Sequence, residues 1–322
     1  MSALDVVPDI TPDLPSPAWR ATLSLLRRLP QAGLSRSLGR LADIPLPRAL
    51  RRAVFTSFAR AVGADLSEVE QPLEDYPSVN AFFVRRLKPG LRSWPADPNA
   101  VGSPVDGVVG ATGRIERGTA VQAKGRPYSV ADLLGDAAEA AAFDGGTFVT
   151  LYLSPRHYHR VHAPVGGTIP VARHVPGALF PVNAAAVAHV PDLFARNERV
   201  LCVIDGPVGR TAAVAVGAYN VARISTAFDP AWGGGRAWVS NRRDAPARER
   251  ARRYTPPVPI ARGAELMAFH LGSTVVLLFQ RDAIELTPAC RPGLEVRLGE
   301  TLAAPAPRGD LSASRTPLSG SP

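Results

Sequence analysis

A chain of 322 residues with 46% apolar side chains and a net charge of +9 has the length and apolar fraction of a globular protein with one large or two small cores. The two cysteines, Cys202 and Cys290, sit in no CxxC or metal-type spacing, which excludes a disulfide framework and suits a reducing compartment. No run approaches ~18 consecutive apolar residues, so no transmembrane helix is expected. The excess of arginine suggests nucleic acid or an anionic membrane surface as partner.

The start, Met1-Ser2-Ala3-Leu4-Asp5, lacks the basic stretch and apolar core of a signal peptide, so the chain is expected to stay on the cytoplasmic side. Residues 1–16, rich in proline and aspartate, read as disordered or extended. Three short amphipathic helices follow. Their apolar stripes are Trp19, Leu23 and Leu26, then Leu34, Leu38 and Leu41, then Leu50, Val54, Phe58 and Val62, and Pro47 suits the start of the third. Between Arg20 and Arg60 the only acid is Asp43. Such helices either cap the body of the protein or lie on a membrane, apolar stripe in the lipid boundary and arginines on the head groups. No nucleic-acid motif or aromatic stacking pattern accompanies the charge, so nucleic acid is not expected.

From about residue 100, short apolar runs alternate with Gly and Pro: Val105–Val109, Phe148–Leu153, Val200–Ile204, Ala212–Val216 and Val275–Phe279. They predict an α+β chain whose core is mainly β, sandwich- or barrel-like, preceded by the N-terminal helices. Ser129–Leu134 and Asn183–His189 read as short helical pieces. Residues 228–257, with Gly233-Gly234-Gly235 and Arg242-Arg243, read as an irregular insertion or long hairpin. Three regions are expected: a basic amphipathic helical region, 1–70, for membrane attachment or for capping the core; a mainly β core, 71–302; and a disordered tail, 303–322, rich in Pro, Ser and Ala.

Three segments carry chemistry. Ser103-Pro104-Val105-Asp106-Gly107 places a carboxylate at a tight turn before a strand. Leu153 to Pro164 gathers three of the six histidines, His157, His159 and His162. Leu271-Gly272-Ser273-Thr274 leads into the last long apolar run. A plain turn is the competing reading of this corner. At a Gly-Ser bond, however, the serine Oγ can attack the preceding carbonyl, because glycine has no side chain to block the approach. The ester formed can eliminate to dehydroalanine, which hydrolyses to a pyruvoyl ketone. A histidine base and an orienting carboxylate are what such a weak nucleophile requires. The histidines match no metal motif such as HExxH, and no metal is expected. A Ser-His-Asp hydrolase is an alternative, but no GxSxG elbow surrounds Ser273. A non-enzymatic membrane-surface protein of the same fold is another.

From roughly residue 70 to 300 the chain resembles the bacterial phosphatidylserine decarboxylases, proenzymes that mature at an LGST motif. The resemblance is carried by Phe82-Phe83-Val84-Arg85, Ser103–Gly107, Gln122-Ala123-Lys124-Gly125, Tyr152–Arg156 and Tyr158-His159-Arg160-Val161-His162. It continues through Val175-Pro176-Gly177, Phe194–Val200 and Leu271–Thr274. It implies a cut between Gly272 and Ser273 that leaves residues 1–272 and 273–322 as partner chains, with Ser273 converted to the pyruvoyl cofactor and no metal. It further implies that Asp106, His162 and Ser273 serve maturation and that His159 handles substrate during decarboxylation. The implied substrate is phosphatidylserine in an anionic membrane, the products phosphatidylethanolamine and carbon dioxide, and the location the cytoplasmic face. A homodimer is left open. The chain departs from the pattern at Val105, where alanine is usual, at His157, where an acid is frequent, and at His270, where lysine is frequent.

Overall fold

A computed structural model of the chain describes residues 31–121, 126–182, 184–218, 223–233, 239–240, 250–270 and 273–307. The stripe at Trp19, the cluster Gln122–Gly125 and the arginine pair 242–243 lie outside these residues. The first described elements are the helices α1 (Gln31–Asp43) and α2 (Arg48–Val62). Pro47 stands immediately before α2, and Gly63 ends it at φ +74°, a left-handed position that glycine enters without a Cβ clash. The one-turn α3 (Val79–Phe83) is capped by Ser78, whose hydroxyl accepts the Ala81 N–H at 3.2 Å.

The core then builds from β1 (Val101–Gly102), β2 (Gly107–Arg114), β3 (Thr119–Val121), β4 (Pro127–Ser129), β5 (Thr147–Leu153), β6 (Arg160–His162) and β7 (Gly167–Val175). It continues with β8 (Arg199–Gly206), β9 (Gly209–Val216), β10 (Ile224–Thr226), β11 (Arg250–Ile260), β12 (Glu265–Phe269) and β13 (Ser273–Phe279), and ends with β14 (Ile284–Leu286), β15 (Glu295–Val296) and β16 (Thr301–Pro305). The helical pieces expected near residues 130 and 184 are present as Val130–Leu134 and Ala184–His189. Ser129 caps the first through the Asp132 N–H at 3.0 Å.

Eight strands form one antiparallel sheet in the order β11-β7-β8-β9-β13-β5-β2-β15. Two smaller sheets, β10-β12-β6 and β1-β16-β14, and the pair β3-β4 complete the strands described. The large sheet runs from edge to edge without closing, so the sandwich- or barrel-like core takes the form of open sheets. Its centre explains the unbroken apolar runs. Val200–Ile204, Ala212–Val216 and Val275–Phe279 are buried along their whole length, because both faces of these strands are covered.

Three expectations are corrected. Within 228–257, Arg250–Ile260 is a long strand paired with β7; its register shifts between Arg253 and Val258, where the prolines fall. It forms an edge of the sheet, where proline's missing N–H costs no ladder bond. Residues 303–305 are not tail: they belong to β16, between β1 and β14, with Ala303 fully buried, and 308–322 lie outside the described residues. The buried face of α2 is centred on Phe55 and Ala59, not on Leu50. Phe55 stacks on Phe82 at 4.8 Å, and both join Val69 and Tyr76 in a second core that crosses residue 70. The helices are therefore docked on the body.

Candidate active site

Strand order gathers the chemically suggestive segments. Across three neighbouring strands, Val108 of β2 stands opposite Tyr152 of β5, and Tyr152 opposite Thr274 of β13. Both outer strands run antiparallel to β5. Asp106 before β2, the His157–His162 segment after β5 and Ser273 at the head of β13 therefore leave the sheet at the same end. With strands ~4.8 Å apart, the backbones of β2 and β13 lie about 10 Å from each other. Gly107 permits this approach: a Cβ there would stand 2.8 Å from the Tyr152 carbonyl oxygen. Leu271 and Gly272 lie outside the described residues, and of Ser273 the backbone is described, paired opposite Leu153.

Asp106 is buried and fully engaged. Arg92 donates to it twice, Nε to Oδ1 at 3.0 Å and Nη2 to Oδ2 at 2.6 Å. The Leu298 N–H donates to Oδ1 at 2.7 Å. Arg92 also holds Glu68 through Nη2 at 2.7 Å and Nη1 at 3.1 Å. The bidentate bond from Asp106 leads the effects that raise the Arg92 guanidinium further above its ordinary pKa.

His162 is reached differently. Its backbone N–H donates to the Pro104 carbonyl at 2.9 Å, which ties β6 to the turn carrying Asp106. Its Nδ1 lies 2.7 Å from the Gly263 carbonyl, and its Nε2 3.1 Å from the Tyr158 hydroxyl. A carbonyl only accepts, so Nδ1 carries the proton and Nε2 accepts from Tyr158. Burial, followed by the opposing effect of the Gly263 bond, sets a pKa below the ordinary histidine value. The ring is thus a neutral base with its lone pair on Nε2. The expected contact in which Asp106 orients His162 is not made; the Gly263 carbonyl does the orienting, and Asp106 acts on the supporting turn.

His159 is fully buried, its ring against Phe83 with centroids 4.0 Å apart. Its Nδ1 donates to the His157 carbonyl at 2.8 Å, and its Nε2 has no partner among the described residues. Burial pushes its pKa down to about 3, so the imidazole is neutral at pH 7. The His159 carbonyl accepts the Phe269 N–H at 2.9 Å, at the end of the strand that leads to Gly272. His162 pairs with Glu265, farther back along β12. Beside His159, Arg85 is also buried and bonds the Arg156 carbonyl at 3.1 Å. His157 faces Ser154 instead, through its Nδ1 at 3.0 Å from the backbone N–H.

Arg92, Tyr158 and Gly263 were not singled out by the sequence reading. Tyr158 lies inside a quoted motif, but its role depends on ring geometry. Arg92 and Gly263 meet their partners only through the fold. Among the described residues no group of three or more His, Cys, Asp or Glu is placed to hold a metal ion. No described helix is long and apolar enough to cross a membrane.

The family model for phosphatidylserine decarboxylase matches residues 79–304. Among similar curated proteins, a phosphatidylserine decarboxylase proenzyme of Anaeromyxobacter sp. (strain K) is 46% identical over 283 residues, 88% of this chain and 98% of the relative. The proenzyme of Myxococcus xanthus (strain DK1622) is 40% identical over 280 residues, 87% and 96% of the two chains. That of Azotobacter vinelandii is 43% identical over 281 residues, 85% and 94%.

Proposed function

Because the chain belongs to the phosphatidylserine decarboxylase family, we propose that it is made as one precursor, cuts itself between Gly272 and Ser273, and then decarboxylates phosphatidylserine to phosphatidylethanolamine at the cytoplasmic face of an anionic membrane. The observation that carries this reading is the shared exit of Asp106, the histidine segment and Ser273 at one end of β2, β5 and β13.

In this reading His162 is the base of maturation. It is neutral, its tautomer is fixed by the Gly263 carbonyl, and its Nε2 lone pair is the one that can take the Ser273 Oγ proton. The Tyr158 hydroxyl occupies that lone pair in the precursor and must move aside or relay the proton. Oγ then attacks the Gly272 carbonyl, the peptide bond to Ser273 gives way to an ester, and elimination followed by hydrolysis releases ammonia. Asp106, locked to Arg92 and the Leu298 N–H, keeps the Pro104 turn under His162.

The pyruvoyl group so formed supplies an electrophilic ketone and an electron sink for loss of carbon dioxide. The head of β13 suits that group, because His159, a buried imidazole with an unpartnered Nε2, stands where the strand leading to Gly272 ends. The Nε2 lone pair of neutral His159 can accept a proton, and an anionic headgroup beside it would favour the charged form that later returns one.

The described helices support peripheral attachment. Leu41, Ile44 and Leu50 are 64%, 54% and 53% exposed, with Arg40 and Arg48 close to them in the sequence. The hydrolase alternative is disfavoured, since Asp106 makes no contact with His162. The test is a denaturing gel of purified protein and of Ser273→Ala. Two chains from the first and one from the second are expected; two chains from the variant would remove the assignment.

A further inference from the structure

A second polar cluster lies away from Asp106 and His162, and it joins the N-terminal helices to the segment just before the cut. Asp43 ends α1, and its carboxylate is held twice. The Arg223 guanidinium forms an ion pair with Oδ2, and the Asn80 Nδ2 donates to Oδ1 at 2.7 Å. Gly39, one helical turn earlier, makes the seat for Arg223. A Cβ at residue 39 would stand 2.8 Å from the guanidinium carbon, so a side chain there would displace Arg223 from its place across the helix. Gly39 and Asp43 thus form one face of α1 built around Arg223.

The other side of the cluster is His270, two residues before Gly272 in the sequence. Its backbone N–H donates to the Arg223 carbonyl at 2.9 Å. Its Nδ1 lies 3.1 Å from the Asn80 Oδ1, and its Nε2 3.2 Å from the Ser225 hydroxyl. The directions follow from chemistry. A carboxylate only accepts, so Asn80 turns its amide nitrogen to Asp43 and its oxygen to His270. Nδ1–H therefore donates to Asn80, and Nε2 accepts from Ser225. One fixed chain of bonds runs from α1, through α3, to the residue that leads into the scissile bond.

We infer that the Gly39–Asp43 face of α1 is a positioning element for self-cleavage: through Arg223 and Asn80 it fixes His270 and aims the Gly272–Ser273 bond at its base. The inference rests on the proposed cut. It makes docking of the N-terminal helices a condition of maturation, so a chain whose helices are undocked stays uncut. The residues named act through His270 and touch no reacting atom. After the cut, His270 and Ser273 belong to different chains, and the demand on the cluster ends.

The test uses full-length Asp43→Ala and Gly39→Leu precursors made by cell-free synthesis, with two-chain formation followed on denaturing gels. Misaiming a reacting bond slows such a step on the order of 10- to 100-fold, and that slowing is expected in both variants. Asp43→Asn keeps the acceptor for Asn80 but loses the charge for Arg223, and should fall between. Turnover on soluble short-chain phosphatidylserine, divided by the amount of cut chain, should stay within about twofold of the unmutated protein. Cleavage at the unmutated rate overturns the inference. So does a slowing that vanishes ~20 °C below each variant's melting midpoint, measured with Ser273→Ala added, because the effect would then be global stability. So does an equal loss in turnover per cut chain. Failure of the proposed function looks different: the unmutated protein would never divide, or Ser273→Ala would divide normally.

Discussion

Replacing Arg92 by methionine removes the group that holds Asp106 and keeps most of the side chain's volume. The side chains of Arg92 and Asp106 are 8% and 11% exposed, and that of Glu68 is 21% exposed. The variant leaves two carboxylates facing each other with the Leu298 N–H as the remaining donor to Asp106. Removing one partner of a buried pair costs about 3–5 kcal/mol, against ~0–1 kcal/mol for a surface pair. The lower end is expected here, since Glu68 can rehydrate. Urea unfolding of Ser273→Ala protein with and without Arg92→Met reads the difference as a shift in midpoint at constant slope. Adding Asp106→Asn should recover part of the loss, because the stranded charge is then gone. Self-cleavage of Arg92→Met should slow as well, as the turn under His162 loses its anchor. A loss below ~1 kcal/mol together with an unchanged cleavage rate would mean that the pair behaves as a surface contact and does not anchor the turn.

His162→Ala should remain a single chain, whereas His159→Ala should divide and lose most decarboxylation; gels and carbon dioxide release check both, and normal division of His162→Ala would remove its role as base. Leu41→Ser, Ile44→Ser and Leu50→Ser together should weaken sedimentation with anionic vesicles and leave the melting temperature nearly unchanged, because these side chains are exposed. Arg51→Glu should instead lower the melting temperature, since Arg51 donates to the Leu46 and Glu74 carbonyls at 2.9 and 2.8 Å. Stability should also fall in acid: burial lowers the pKa of His159 to about 3 and of His270 to about 4, so the unfolded chain takes up more protons than the folded one below pH ~6.5. The stabilisation is complete above the unfolded value and is lost as pH falls toward the folded ones, by about 2 kcal/mol for each ring at pH 5. Urea titrations of Ser273→Ala between pH 7 and 5 check this, and a flat profile would contradict it.

The strands at residues 148–153, 200–204, 212–216 and 275–279 were legible because covered strands read as continuous apolar runs. The strand at 250–260 was not, since its prolines are tolerated at a sheet edge, and edge position is a property of strand order. Ala303 sits in a Pro- and Ala-rich stretch that resembles a tail, yet β1 and β14 claim it as a neighbour. Leu50 fitted the helical period but is exposed, whereas Phe55 joins the second core, because Phe82 and Tyr76 stand on that side. In the site, the residue types at 106, 159, 162 and 273 could be read with the help of the family resemblance. Their gathering depends on the order β13-β5-β2. The partners that set their chemistry, Arg92 for Asp106 and Gly263 for His162, meet them across the fold, and no local signal announces such pairs.

On the proposed function, this chain makes its own ketone by cutting before Ser273. The intact mass of the purified protein under denaturing conditions tests it most directly. Two chains are expected, residues 1–272 and 273–322, with the smaller one lighter by one ammonia than the plain hydrolytic fragment, because a carbonyl replaces the serine amine. A single chain of full mass, or a smaller chain that keeps its amine, would contradict it.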